Sequence, residues 1–175
     1  MKLSELTLPA YAQMLEALSG QLVKAREERE SAGGSADDLL SARLAPDMFP
    51  LASQVQFVCI QSEELMARLA GDKAPSVEPP QTLAEALDLL KTTITRLKEN
   101  AAEDHETDEH APLELALPQG LIFDFDLAEY VRSWSQPQFY FHLVTAYAIL
   151  RKEGVGLGKP DYVPHMFQFL RKDAN

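Results

Sequence analysis

An uncharged stretch from Phe139 to Leu150 carries a single titratable imidazole, His142. Imidazole titrates near neutral pH, so a histidine in an apolar helix has two readings. It serves as a metal ligand or acid/base group in a cavity, or it is a neutral core residue whose ring nitrogens are hydrogen-bonded within the fold. A second set of polar residues has helical spacing. Asp47, Gln54 and Gln61 recur every seven residues and so fall along one side of a helix. They either line a polar pocket opposite His142, with Arg43 and Tyr147 as further donors, or face water.

Two further runs have residue types associated with ligand binding. Asp104-His105-Glu106-Thr107-Asp108-Glu109-His110 contains metal-binding side chains. A metal site must hold its ligands rigidly with oriented partners behind them, and this acidic run reads instead as a solvated loop. Gly154-Val155-Gly156-Leu157-Gly158-Lys159 superficially resembles a phosphate loop. A phosphate cradle needs a preceding strand, a following helix and a Ser or Thr after the lysine. Here the glycines follow a helix and Pro160 follows Lys159, so the run reads as a helix cap and turn. Lys159 remains within reach of a pocket. Cys59 lies in a helical pattern with no discernible base, so no nucleophilic constellation can be drawn around it.

These residues must be positioned by helices. Leu8, Ala12, Leu15, Leu18, Leu22 and Ala25 form one apolar stripe, with Pro9 in the first turn and Gly33-Gly34 as the stop. Ser35 and Asp38 predict a short capped helix through Leu39, Leu40 and Leu44. Asp47 is the expected N-cap of a second helix, striped by Leu51, Val55, Val58, Leu65 and Leu69 and closed before Gly71. Residues 72–81 hold three prolines and form a loop. Thr82 and Glu85 then open a third helix ending near Asn100. Alternation at Leu113, Leu115 and Leu117, then at Leu121, Phe123 and Phe125, about Pro118-Gln119-Gly120 predicts a β-hairpin lying on the helices. Asp126 and Glu129 cap a short helix through Tyr130 and Trp134, which Pro137 interrupts. The next helix runs from Gln138 to Glu153. That helix is apolar in every direction, so it lies at the centre of the bundle or packs against a second copy. Met166, Phe167 and Leu170 predict a short docking helix at the C-terminus.

Composition limits the rest. A chain of 175 residues suits a single domain, here 1–175, with enough core to fold without disulfides or structural metal. One cysteine and no apolar leader place the protein in the cytoplasm. No stretch approaches the ~20 apolar residues of a membrane span. With 27 acidic and 16 basic residues, a net charge of −11 argues against nucleic acid or an anionic membrane as partner.

Two stretches carry a family resemblance. Leu40-Ser41-Ala42-Arg43-Leu44-Ala45-Pro46-Asp47-Met48-Phe49-Pro50-Leu51, continued through Gln54-Val55-Gln56 to Ala67-Arg68-Leu69-Ala70-Gly71, is the first. Phe139 to Arg151, followed by Gly154-Val155 and Leu157-Gly158-Lys159, is the second. They resemble a bacterial family of unknown function grouped with the DinB/YfiT-like four-helix bundles. The resemblance implies an all-α, up-down-down-up bundle with short accessory helices and a small β-hairpin between helices 3 and 4, often as a homodimer. It also implies a possible zinc or nickel site built from one histidine on the second helix and two, four residues apart, on the last; some such proteins are thiol-dependent transferases. In this sequence His142 matches the first of the late pair, the position four later is Ala146, and no histidine precedes His105. A three-ligand open site is therefore incomplete. The expectation is a cytoplasmic homodimer, non-catalytic or binding a small molecule, with no cofactor and no metal. Its polar cluster would consist of His142, Asp47, Gln54 and Arg43, with Tyr147 and Lys159 as further pocket candidates. The alternative is a metal- or thiol-dependent transferase or hydrolase with substituted ligands around His142.

Overall fold

The computed structural model describes residues 2–103, 105, 108–118 and 120–171. The first helix, α1 (Leu3–Ser31), begins five residues before the apolar stripe does, so Pro9 lies inside it rather than in its first turn. Two local hydrogen bonds support that early start. Glu5 accepts the Lys2 backbone N–H at 3.0 Å, and the Thr7 hydroxyl donates to the Leu3 carbonyl at 2.7 Å. The segment after it forms a three-ten turn, Asp37–Ser41, that stops short of Leu44. Asp37 accepts the Leu83 N–H at 2.7 Å, tying this turn to the start of α3 (Leu83–Ala102). Thr82 caps α3 as expected, accepting the Glu85 N–H at 3.2 Å.

Helix α2 (Leu51–Ala70) is capped by Pro50, and Asp47 is exposed in the turn before it. Asp47 is three residues too early to cap: Leu51 donates to Ala42 and Gln54 to Pro50, which fixes the first turn at Leu51. The expected hairpin is present as β1 (Pro112–Ala116) and β2 (Ile122–Asp126), antiparallel, with Leu113 opposite Phe125 and Leu115 opposite Phe123. Leu115 is buried, and Leu113, Leu117 and Phe125 pack against the helical core.

Pro137 does not interrupt the last long helix. Asp126 caps α4 (Leu127–Tyr130), a π turn follows at Val131–Ser135, and α5 (Gln136–Lys152) continues without a break. Gln136 donates to Val131, five residues back, so the turn is one residue wide of an α-helix. Pro137 then stands in the first turn of α5, where a missing donor is tolerated.

Side-chain pairs fix the topology. Cys59 meets Thr93 and, one turn later on both helices, Glu63 pairs with Arg96, so α2 and α3 run parallel. Gln54 meets His142 and Glu64 meets Tyr130, so α2 and α5 run antiparallel. Glu16 meets Lys98, opposing α1 to α3, while Tyr11 with Phe139 and Arg29 with Glu153 make α1 parallel to α5. This is the up-down-down-up bundle. At its centre the rings of Tyr11 and Phe139 stack at 3.8 Å and 7°. The Tyr11 hydroxyl lies 2.9 Å from Ser135 Oγ, and both side chains are fully buried.

Gly154, with φ of +88°, closes α5. Val155 donates to Leu150 and Gly154 to Arg151, the paired bonds of a Schellman cap. The chain then turns back across α1 into α6 (Lys159–Tyr162) and a three-ten turn, Pro164–Phe169. The C-terminal turn does not dock through its apolar residues. Met166, Phe167 and Leu170 are exposed and, with Lys159, Pro160 and Val163, line an open groove of about 340 Å³. The segment is held upstream of that turn, by Val155 and Leu157 in the core, by Tyr162 packed against it, and by polar contacts in which Gln21 donates to the Asp161 carbonyl and Lys24 reaches both Gly156 O and the Asp161 carboxylate.

Replacing Tyr11 by Phe should cost about 1–2 kcal/mol, because Ser135 Oγ loses its buried partner. Ser135→Ala should cost a similar amount, and the double variant clearly less than the two together. Urea denaturation with an unchanged m-value reads this; strictly additive losses would mean the hydrogen bond contributes nothing.

Candidate functional site

Helix α2 presents Gln54 inward, where it is 2% exposed. Its amide has two defined partners. Nε2 donates to the Phe49 carbonyl at 3.0 Å, and Oε1 lies 2.8 Å from His142 Nδ1. Because Oε1 can only accept, the proton of the neutral imidazole must be on Nδ1, which leaves a lone pair on Nε2. Among the described residues Nε2 makes no hydrogen bond and is not one of the enclosed polar atoms, so it points outward.

Aromatic rings surround this imidazole. Phe57 lies 4.7 Å from it, centroid to centroid, and Phe141 5.2 Å. Phe49 meets Phe57 edge-on at 5.1 Å and is 61% exposed. The half-buried, apolar setting disfavours the imidazolium, and burial lowers the His142 pKa from 6.5 to about 4. At neutral pH the site therefore offers one uncharged acceptor in an aromatic wall.

The other expected site residues separate. Gln54 and His142 come together directly. Arg43 and Asp47 are exposed in the segment before α2; the Arg43 guanidinium donates to the Pro46 carbonyl at 3.4 Å, and the Arg43 carbonyl accepts from Lys152 Nζ at 2.7 Å. Tyr147 is one turn further along α5, against Tyr162 at 5.9 Å. Lys159 lies on the rim of the C-terminal groove. Gln61 is buried, and among the described residues its Oε1 has no hydrogen-bond partner. Phe49, Phe57 and Phe141 were not anticipated, although Phe57 follows Gln54 by three residues and so shares its helical face.

The remaining candidates have separate partners. Cys59 is fully buried, and burial pushes its thiol up to about 12, so it is not a thiolate at neutral pH. His105 contacts the Asn100 carbonyl at 2.7 Å, and His110 contacts Asp126 at 3.3 Å; Asp104, Glu106 and Thr107 lie outside the described residues. The glycine run presents no free cradle. Gly156 N–H donates to both Glu28 oxygens, at 3.0 and 3.3 Å, and Gly158 N–H to Asp161 at 2.7 Å. Carboxylates of the protein itself occupy the places an anion would take. Further along the α2–α5 seam, the Tyr130 hydroxyl donates to Glu64 at 3.4 Å and Arg68 lies over the Tyr130 ring; burial raises the Glu64 pKa.

The donor set does not fit the three-histidine metal site. Ala146 is packed in the core where the second late histidine would stand, α2 contains no histidine, and among the described residues no three His, Cys, Asp or Glu side chains converge.

Comparison with known proteins gives a family and a structural neighbour. A family model described as "Domain of unknown function (DUF1993)" matches residues 3–163. A crystal structure of a DinB family member protein from Shewanella denitrificans is 32% identical, with a TM-score of 0.78 over 92% of this chain and 91% of that one. No curated protein matches. Among the described residues no helix is long and apolar enough to cross a membrane.

The depressed His142 pKa makes a signed prediction. Above pH 6.5 the imidazole is neutral folded or unfolded; between 6.5 and about 4 only the unfolded chain takes up the proton, so stability falls. Discounted for partial exposure, this should amount to about 1–2 kcal/mol. The stability difference between the wild type and His142→Gln, measured by denaturation from pH 7.5 to 4, should shrink by that amount. A difference independent of pH would refute it.

Proposed function

Since the chain belongs to the DUF1993 family and has the DinB-like bundle, we propose that it is a non-catalytic, small-ligand-binding homodimer whose binding group is Nε2 of His142. The observation that carries this reading is the 2.8 Å contact between His142 Nδ1 and Gln54 Oε1. It fixes one tautomer, and so gives the acceptor on the opposite ring nitrogen a defined direction. With Phe49, Phe57 and Phe141 around it, the matching ligand has a flat or apolar body and one O–H or N–H donor, such as a phenol or a secondary amide. A charged acid suits it less, because the neutral imidazole supplies no positive charge. One lone pair without further donors also supports binding over metal-assisted chemistry. A cytoplasmic setting is part of the proposal and suits the single buried thiol.

The expected result of ¹⁵N NMR on the imidazole is the Nδ1–H tautomer, with Nε2 shifted on adding small phenols or amides and no such response in Gln54→Ala. An Nε2–H tautomer would overturn the reading, and so would stoichiometric zinc or nickel bound through that nitrogen in protein purified without an affinity tag.

The dimer is supported by α5. Although its sequence is apolar on all sides, Phe141 is 57% and Val144 46% exposed, so the bundle alone does not cover it. Sedimentation should show a dimer for the wild type and a monomer for Val144→Lys. A wild-type monomer at high micromolar concentration would end this part of the proposal.

A further inference from the structure

The hairpin has one protected and one open edge. Leu117 donates to Leu121 at 2.8 Å and accepts from Gly120 at 2.9 Å, and this sets the hydrogen-bonding phase of the ladder. Phe123 and Phe125 then bond inward to Leu115 and Leu113, whereas the backbone groups of Glu114 on β1 and of Ile122 and Asp124 on β2 point outward. On β1 the outward Glu114 carbonyl faces α2 and receives Arg68 Nη2 at 3.4 Å. On β2, among the described residues, the outward N–H and C=O groups of Ile122 and Asp124 have no hydrogen-bond partner. Ile122 is 61% exposed. An open row of this kind is a template for another strand.

Charge selects the occupant. Glu114 and Asp124 stand directly opposite one another, both exposed, on the outer face of the hairpin. Cross-strand side chains on such a pair are about 5 Å apart, and like charges there repel. Asp126 follows on the same face. A second copy in the overlapped antiparallel register would oppose Asp124 to Asp124, and each copy has a net charge of −11. A strand with Lys or Arg at alternate positions instead places a cation beside the Glu114–Asp124 pair and completes the backbone ladder at the same time.

We propose that the free edge of β2 is a docking site for an extended, basic segment of a partner protein, added as a third strand through the backbone of Ile122 and Asp124. Recognition is by main-chain hydrogen bonds along the edge and by carboxylates on the outer face. It is independent of the His142 site, which lies toward the other end of α2, near Phe49.

The test uses a capped heptapeptide alternating lysine and valine, titrated into the ¹⁵N-labelled full chain. Expected are amide shifts concentrated at residues 120–126 and an affinity that weakens as salt rises. Asp124→Asn removes the charge and keeps the N–H; it should bind more weakly and with little salt dependence. Asp124→Pro removes the outward N–H and touches no bond within the hairpin, a place where proline is tolerated. Retained amide signals of Leu115 and Phe123 report that its hairpin is intact. Relative to Asp124→Asn it should lose a further factor of about 5–10 in affinity. Equal binding by the two variants would overturn the proposal, as would no shift in β2 at millimolar peptide. Self-association of the wild type through β2, abolished in Asp124→Pro, would assign the edge to a second copy and equally overturn it.

Discussion

The arrangement around His142 depends on one amide. Gln54 is held at both ends, by the Phe49 carbonyl behind it and by the imidazole in front. If the amide were reversed, its NH₂ group would face His142, the Nδ1 proton would be disfavoured and Phe49 O would lose its donor. The bond to Phe49 thus decides which ring nitrogen carries the proton on the other helix. Phe49 also belongs to the segment that enters α2, so the start of that helix and the electronic state of the site are set by the same residues. A buried amide with both ends satisfied is stable where a half-satisfied one would not be.

Much of the fold was legible because its signals are periodic. The apolar stripes of α1 and α2 and the alternation around Gly120 led to the right elements, since packing faces must repeat every 3.6 or 2 residues, and the Thr82–Glu85 cap marked the start of α3. Errors arose where a hydrogen bond outside the stripe decides. Thr7 and Glu5 extend α1 past Pro9, and the Ala42 carbonyl draws the start of α2 to Leu51 and strands Asp47. At the site, seven-residue spacing and a lone histidine were enough to bring Gln54 and His142 together. They were not enough for Arg43 or Asp47, because helical periodicity says nothing about residues that precede the helix. The aromatic wall was overlooked because phenylalanines at core spacing look the same whether they fill a core or line a site.

The glycine run shows how a short motif can be misread. Its amides do bind anions, but those anions are the protein's own Glu28 and Asp161. A Cβ at 156 would lie 3.0 Å from a Glu28 oxygen, so a larger residue there would press on the carboxylate that the amide holds. The motif therefore secures the C-terminal segment to α1. Likewise the bundle shared with the DinB family member from Shewanella denitrificans fixes an architecture and leaves the chemistry to individual side chains.

The π turn at Val131–Ser135 controls the azimuth of everything after it. One surplus residue held in a π turn sets every later side chain back by about 100° around the axis relative to a regular helix. With a regular helix from Leu127 onward, Phe139 and His142 would swing away from Tyr11 and Gln54 while Glu64 kept Tyr130. The two halves of this long helix are thus clocked separately: deleting one residue from the turn would leave a regular helix with Phe139 and His142 still facing Tyr11 and Gln54, so the length of the segment and its π geometry are matched to each other.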